Sequence, residues 1–303
     1  MNKSNNNKIL LVTHNGSFHS DDIFACATIS LLLEKEGKDF EVVRTRDEET
    51  IRSGDYVFDV GGVYDKSADR FDHHQVEGAG KHENGIEYAS FGLVWEKFGQ
   101  ELCGSADAAK NIESKLVCAI DAGDNGVDLV VEFKHETKPY FLQYAFNAFT
   151  PTWKNVNDES LYASFMECVE IAKKILAKEI AQSKDAIEAR DRVLELYNQA
   201  EDKRIIILDK KYPYEETLSQ FPEPLFVIYP RVDGAWGVKA QKEDHKTFKN
   251  KKDFPSGWAG LRDAELEKVT GVDGAMFCHR ALFLVVAKTK EGAIKLAQIA
   301  LES

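Results

Sequence analysis

The chain is poor in cysteine and proline, has no excess of basic residues, and contains no uninterrupted apolar run of membrane-spanning length. Each shortage excludes something. The five cysteines (Cys26, Cys103, Cys118, Cys168, Cys278) are odd in number, scattered, and form no C-x-x-C pair. That excludes a disulfide scaffold or a zinc finger and points to a reducing compartment. Cys26 and Cys118 stand among apolar neighbours and read as small buried hydrophobes. Only 7 prolines in 303 residues, beside 43% hydrophobic content, exclude a disordered chain. The start, Met1 to Lys8, is polar and Asn-rich and carries no apolar signal-peptide core, so the expected location is the cytoplasm, away from membranes.

Lys and Arg number 39 against 51 Asp and Glu, a net charge of −12. A protein that coats nucleic acid by bulk charge needs the opposite balance, because its cations must replace condensed counterions. An enzyme acting on phosphates remains open: clustered carboxylates can hold divalent cations, and the cations then meet the anionic substrate.

The length suggests two unequal domains. Ile9–Val12 is a short apolar run that reads as a buried parallel strand, and 23–33 is apolar nearly all round and reads as a buried helix capped by Ser20 or Asp21. Strands are expected at 40–44 and 56–60, and helices at 91–98 and 106–120. This alternation predicts an α/β fold with a mostly parallel sheet in residues 1–157, its ligands bound beyond the carboxyl ends of the strands. Residues 158–200 carry helical periodicity and abundant charge and are expected to form a helical linker. From 201 to 303, strands at 205–208, 225–229, 236–240 and 282–287, closed by a helix at 290–301, predict a smaller α/β or α+β domain.

Four polar clusters carry chemistry. His14-x4-His19-x-Asp21 mixes imidazole and carboxylate on one short loop, a set suited to a hard or borderline cation such as Mn²⁺; local capping hydrogen bonds are the competing explanation. Asp59 ends an apolar strand, where a buried carboxylate is costly unless paired or metal-bound; an exposed turn is the alternative. Asp72-His73-His74 sets two adjacent imidazoles behind a carboxylate, so that one can bind metal while its neighbour serves a phosphate oxygen and Asp72 fixes a ring from behind; a polar surface turn competes. Asp121 ends an apolar helix and could complete a second cation's shell, with Asp124 assigned to the Asp-Asn-Gly turn. Clusters in this order suit two cations about 3.5–4 Å apart, which together generate a nucleophile and stabilise in-line displacement at phosphorus.

The order His-Asn-Gly-x-Phe-His-x-Asp, strand-end Asp, Asp-His-His and Asp resembles the DHH phosphoesterase superfamily. More closely it resembles the melanocyte proliferating gene family of metal-dependent hydrolases and exonucleases. That likeness also includes Pro151-Thr152-Trp153, Tyr229-Pro230, the block Gly257-Trp258-x-Gly260-Leu261-Arg262-Asp263, and Lys288–Ala293. The resemblance implies His14, His19 and Asp21 as first-loop ligands, Asp59 as the bridge, His73 and Asp121 on the second cation, His74 facing substrate phosphate and Asp72 supporting it. It implies two divalent cations, Mn²⁺ or Mg²⁺, and exonucleolytic cleavage of RNA or DNA. The sequence departs from the family at Asp22, which stands for a Glu, and at Val285-Val286, which stands for a Gly pair.

Substrate contacts are expected in the second domain. Six lysines lie between Lys239 and Asp253 against three acidic residues, with Phe248 and Phe254 placed for base stacking. Arg262, His279 and Arg280 are phosphate-binding candidates, with a structural ion pair as the alternative for the arginines. A nucleic acid or oligonucleotide is the expected partner. A small phosphate compound such as pyrophosphate or a short nucleotide, or a non-catalytic role around a structural metal, are the competing readings.

Overall fold

A computed structural model describes residues 8–130, 137–244 and 248–303. The Asn-rich start and Lys246 of the lysine-rich segment lie outside the described residues.

The chain divides into two compact units, Met1–Lys184 and Asp185–Ser303. In the first, β1 (Ile9–Thr13) is followed by α1 (Ser20–Lys35), β2 (Phe40–Arg44), α2 (Glu48–Ser53), β3 (Tyr56–Phe58), β4 (Tyr64–Asp65) and β5 (Arg70–Phe71). Helices α3 (Ser90–Cys103), α4 (Ala106–Ile112), a π-helical turn (Glu113–Val117), α5 (Cys118–Asp124), α6 (Leu142–Asn147) and α7 (Asp158–Gln199) complete it. The sheet order is β2-β1-β3-β5-β4, parallel throughout except for the β4–β5 pair. This is the α/β architecture that the alternation of elements predicts. The all-round apolar sequence of α1 has its reason in packing: Phe24 is fully buried, stacked on Phe91 of α3 with ring centroids 5.1 Å apart. Burying such a side chain stabilises the fold by roughly 1.5–3 kcal/mol.

Helix α7 runs unbroken through the segment expected to be a linker. The division between the compact units falls inside it, at Lys184. Its first half buries Phe165, Cys168, Val169, Ala172 and Leu176, and its last turns bury Val193 and Tyr197. The helix therefore contributes core to each unit rather than standing free.

In the second unit, β6 (Ile205–Ile207), α8 (Glu215–Leu218), β7 (Phe226–Pro230), β8 (Trp236–Ala240), a 3₁₀ turn (Ser256–Trp258), α9 (Asp263–Thr270), β9 (Ala275–Cys278), β10 (Leu284–Ala287) and α10 (Lys290–Glu302) follow. Its sheet, β6-β7-β8-β10-β9, is parallel only at β6–β7. Val285 and Val286 lie in β10 between two neighbours and are buried. Val285 and Val286 thus serve as core of the second unit.

Candidate metal centre

His14 is the first residue beyond β1, at the carboxyl end of the strand, where open α/β sheets bind ligands. Gly16 takes a φ of 90° and turns the loop there. Arg44, the last residue of β2, donates to the Gly16 carbonyl at 3.0 Å while its guanidinium lies over the Phe165 ring at 4.5 Å. With the loop so held, the His14 Nδ1 donates to the Asn15 carbonyl at 2.9 Å. Its Nε2 is thereby directed at Asp59 Oδ2 (3.0 Å) and Asp22 Oδ2 (3.4 Å).

Helix α1 starts with His19 in the capping position rather than Ser20 or Asp21, and the Asp22 carboxylate accepts the His19 backbone N–H at 2.9 Å. The carboxylates of Asp21 and Asp22 both belong to fully buried residues.

Asp59 follows β3 in left-handed backbone, φ 55°, just before Gly61 and Gly62. Holding a non-glycine residue there costs on the order of 1–3 kcal/mol and is found where surroundings over-determine the conformation. The return is a carboxylate reached from two sides. His14 meets Oδ2, while His73 Nε2 lies 3.4 Å and His74 Nδ1 3.6 Å from Oδ1. Asp72 supports the same corner: it accepts the Gly62 N–H at 2.6 Å and approaches His74 Nδ1 to 2.7 Å.

The last contribution comes from α5. Asp124 places Oδ2 3.2 Å from His73 Nε2 and Oδ1 3.8 Å from His19 Nδ1. Asp121 faces the other way. It binds the His82 Nε2 at 2.8 Å and the Gly92 N–H at 3.1 Å. Gly92 admits it only because it lacks a side chain, since a Cβ there would meet the Asp121 carboxylate at 1.9 Å. Of the residues expected to hold cations, the structure therefore gathers His14, His19, Asp21, Asp59 and His73, and turns Asp121 away. It adds Asp22 and Asp124, which spacing did not single out.

Three groups result, each with its donor atoms within 4.8 Å of one another: His14, Asp22 and Asp59; Asp59, His73 and His74; His19, Asp21 and Asp124. Asp59 is common to the first two, and Asp124 joins the third to His73. The charges are unbalanced. Burial, with Asp59 and Asp124 close by, lifts the Asp21 carboxyl well above the carboxylate range, and burial beside Asp59 lifts Asp22 to about 7. Burial disfavours charge on Asp59 too, but His14 and His73 outweigh it and hold its carboxyl below the usual range. His73 is opposed by burial yet raised to about 10 by Asp124 and Asp59, and His14 is raised in the same way by Asp59 and Asp22.

Both carboxylate oxygens of Asp21 are buried without a hydrogen-bond partner, while Asp22 Oδ2 meets only His14 at 3.4 Å and His73 Nε2 only the ion-pair contacts to Asp124 and Asp59. An unsatisfied buried carboxylate such as that of Asp21 costs about 1–3 kcal/mol, more when charged. Imidazole nitrogens and carboxylate oxygens converging on such a basin are the donor set that borderline divalent cations take. The residues present fit a metal.

In the second unit, Arg262 is exposed and stacks over Phe277 at 4.5 Å, and His279 lies 4.2 Å from the Phe283 ring, beside exposed Arg280. Among the described residues, neither arginine forms an ion pair. The lysine-rich segment is less available than its composition suggests. Lys239 pairs with Glu215, Lys249 with Glu243, and Lys251 and Lys252 donate to backbone carbonyls of Phe221 and Leu301. Phe254, expected to stack on bases, is instead buried against Phe226 and Trp258; Phe248 is exposed, 4.7 Å from the Lys242 ammonium.

Sequence comparison finds relatives along nearly the whole chain. The human MYG1 exonuclease is 29% identical over 95% of this chain and 85% of its own length. A MYG1 protein of Schizosaccharomyces pombe is 28% identical over 98% of both, and one of Caenorhabditis elegans 29% identical over 97% and 95%. The crystal structure of CDC45 from Entamoeba histolytica aligns over 97% of this chain and 95% of its own at 12% identity, with a TM-score of 0.26, too low to mark a shared fold. The profile of the MYG1 exonuclease family, described as an uncharacterised protein family (UPF0160), matches residues 10–301. The chain is a member of the MYG1 exonuclease family.

Proposed function

We propose that the protein is a divalent-metal-dependent phosphoester hydrolase, a phosphodiesterase of exonuclease type acting on RNA or short oligonucleotides, with a DHH-like two-cation centre. The observation that carries this reading is the convergence of His14, Asp22 and His73, with the unpartnered buried carboxylate of Asp21, around the shared carboxylate of Asp59. The exonuclease names of the relatives point the same way. His14, Asp22 and Asp59 would hold one cation; Asp59, His73 and Asp124 would hold the other, with Asp21 and His19 at its edge. A bound pair, Mn²⁺ first and Mg²⁺ second, supplies Lewis acidity to phosphoryl oxygens and lowers the pKa of water.

The remaining work falls to side chains. His74 is largely exposed, and the bond to Asp72 leaves its Nε2 free to face substrate. It binds a phosphate oxygen or delivers a proton to the leaving oxygen, as a positioned imidazole does at about 10²–10⁴-fold in rate. Asp72 orients that ring. Arg262, His279 and Arg280 offer cations and an aromatic edge to further phosphates and bases of a nucleotide chain. Five buried, unpaired cysteines support a reducing location such as the cytoplasm.

A second reading, hydrolysis of a nucleotide or pyrophosphate, draws on the engaged lysines, which leave little continuous basic track for a long strand. The test is a side-by-side assay of 5′-labelled RNA, a dinucleotide and pyrophosphate with Mn²⁺ and with chelator. Stepwise shortening of RNA only with Mn²⁺, lost in Asp59→Asn, is the expected result. Turnover of pyrophosphate alone moves the substrate to the second reading, and no turnover of any of them with Mn²⁺ removes the enzyme.

A further inference from the structure

Outside the basin, one more group of donors comes together among the described residues: His82, Glu113 and Cys118. We propose that these three side chains form a separate Zn²⁺ site. Its construction starts in the backbone. Glu113 and Cys118 are five residues apart, which on an α-helix places them about 140° from one another. The π-helical turn at Glu113–Val117 takes an extra residue into the turn and swings the two onto one face. Such single turns recur at functional sites.

The third ligand is fixed from behind. His82 sits in a tight turn, its N–H donating to the Ile86 carbonyl and its own carbonyl accepting from Gly85, and the Tyr88 ring lies 4.2 Å from the imidazole. Nε2 is held by the buried carboxylate of Asp121 at 2.8 Å, and Nδ1 points to Glu113 Oε1 at 2.8 Å. A carboxylate behind a histidine whose other nitrogen faces a carboxylate and a thiol is the arrangement that orients zinc-binding imidazoles. His82 and Cys118 are buried, Glu113 is partly exposed, and all three line a cleft of about 510 Å³.

One nitrogen, one oxygen and one sulfur suit a borderline-soft ion better than Mg²⁺ or Ca²⁺, which take oxygen. The three ligands leave one tetrahedral position for water or a small ligand from the cleft. Binding takes the Cys118 thiolate and so releases the thiol proton, while Nε2 of His82 keeps its contact with Asp121. Cys118, which reads from sequence as a small buried hydrophobe, gains a ligand role that no spacing motif announces.

The site is testable independently of hydrolysis, because the basin contains no cysteine. The full chain, stripped with chelator, is titrated with Co²⁺. Expected is a near-ultraviolet thiolate-to-cobalt charge-transfer band that appears in the parent and in Asp59→Asn, disappears in Cys118→Ser, and is bleached by one equivalent of Zn²⁺. Glu113→Gln, at a partly exposed position, should keep the far-ultraviolet circular dichroism of the parent and weaken Co²⁺ binding at least about tenfold. Asp121→Asn should weaken it by about 10–100-fold through the histidine. Absence of the band, its persistence in Cys118→Ser, or parent-like affinity in Glu113→Gln overturns the proposal.

Discussion

The Nε2 atom of His14 lies 3.0 Å from Oδ2 of Asp59, whose other oxygen faces His73 at 3.4 Å. One carboxylate, held in left-handed backbone, thus joins a histidine from the end of β1 to a histidine 59 residues further along the chain. Substitution of Asp59 by Asn keeps the shape and the turn, since Asn tolerates that backbone. It removes the negative charge that two cations would share. Hydrolysis in saturating Mn²⁺ should fall by about 10³-fold or more, with far-ultraviolet circular dichroism unchanged.

His74 and Asp72 should separate in kinetics. His74→Ala removes a group proposed to act on the substrate, so kcat should drop by about 10²–10⁴-fold while calorimetric Mn²⁺ affinity stays within a few-fold. Asp72→Asn disturbs only the orientation of that ring and the Gly62 N–H it accepts. Its loss should be about 10–100-fold. Equal effects of the two substitutions would contradict the assigned roles.

The two acids of α5 make a sharper pair. Asp124→Asn should weaken Mn²⁺ binding by about 10²-fold or more, because its carboxylate faces His73 and His19. Asp121→Asn leaves the His82 and Gly92 contacts short of a charge and should cost about 1–3 kcal/mol in urea unfolding instead. Titration calorimetry and equilibrium unfolding of both variants check this division.

Without metal, stability should fall as pH rises, from about pH 4 upward. A folded-state pKa above the unfolded one means that the folded chain keeps a proton the unfolded chain has lost. Its stabilisation is complete below the unfolded pKa and disappears as pH climbs to the folded one. For Asp22, raised to about 7, the window runs from about pH 4 to 7; for Asp121, raised to about 6, it closes earlier; for His73, raised to about 10, it begins near 6.5. Asp59, shifted down, acts in the opposite sense, but only below 3.8. Asp22→Asn should therefore flatten the slope between pH 4 and 7 by up to about 1.4 kcal/mol per pH unit in chelator. Saturating Mn²⁺ should reverse the trend, because the cation selects ionised carboxylates.

Much of this was legible before any coordinates. The short apolar run of β1 and the long all-round apolar α1 are told apart by length, five residues against sixteen, and β2 and β8 fall at 40–44 and 236–240 as expected. The strand-end position of Asp59 is readable because a carboxylate closing an apolar run is conspicuous. Three things were not readable. Asp121 and Asp124 are three residues apart at one helix end, so spacing cannot decide between them; the choice is made by Gly92 and by His82, an isolated histidine in a turn. The π-helical turn interrupts what reads as one helix over 106–120, and an extra residue in a turn rotates everything after it. Phe254 and the lysines around it have the composition of a nucleic-acid surface, yet stacking on Phe226 and bonds to backbone carbonyls are long-range contacts that composition does not contain.

Anomalous diffraction from crystals soaked in Mn²⁺ tests the central claim most directly. The account predicts two peaks about 3.5–4 Å apart, one on each side of the Asp59 carboxylate, with Asp124 beside the one nearer His73. A single peak remote from Asp59, or none among His14, Asp22, His73 and Asp124 at saturating metal, would contradict it.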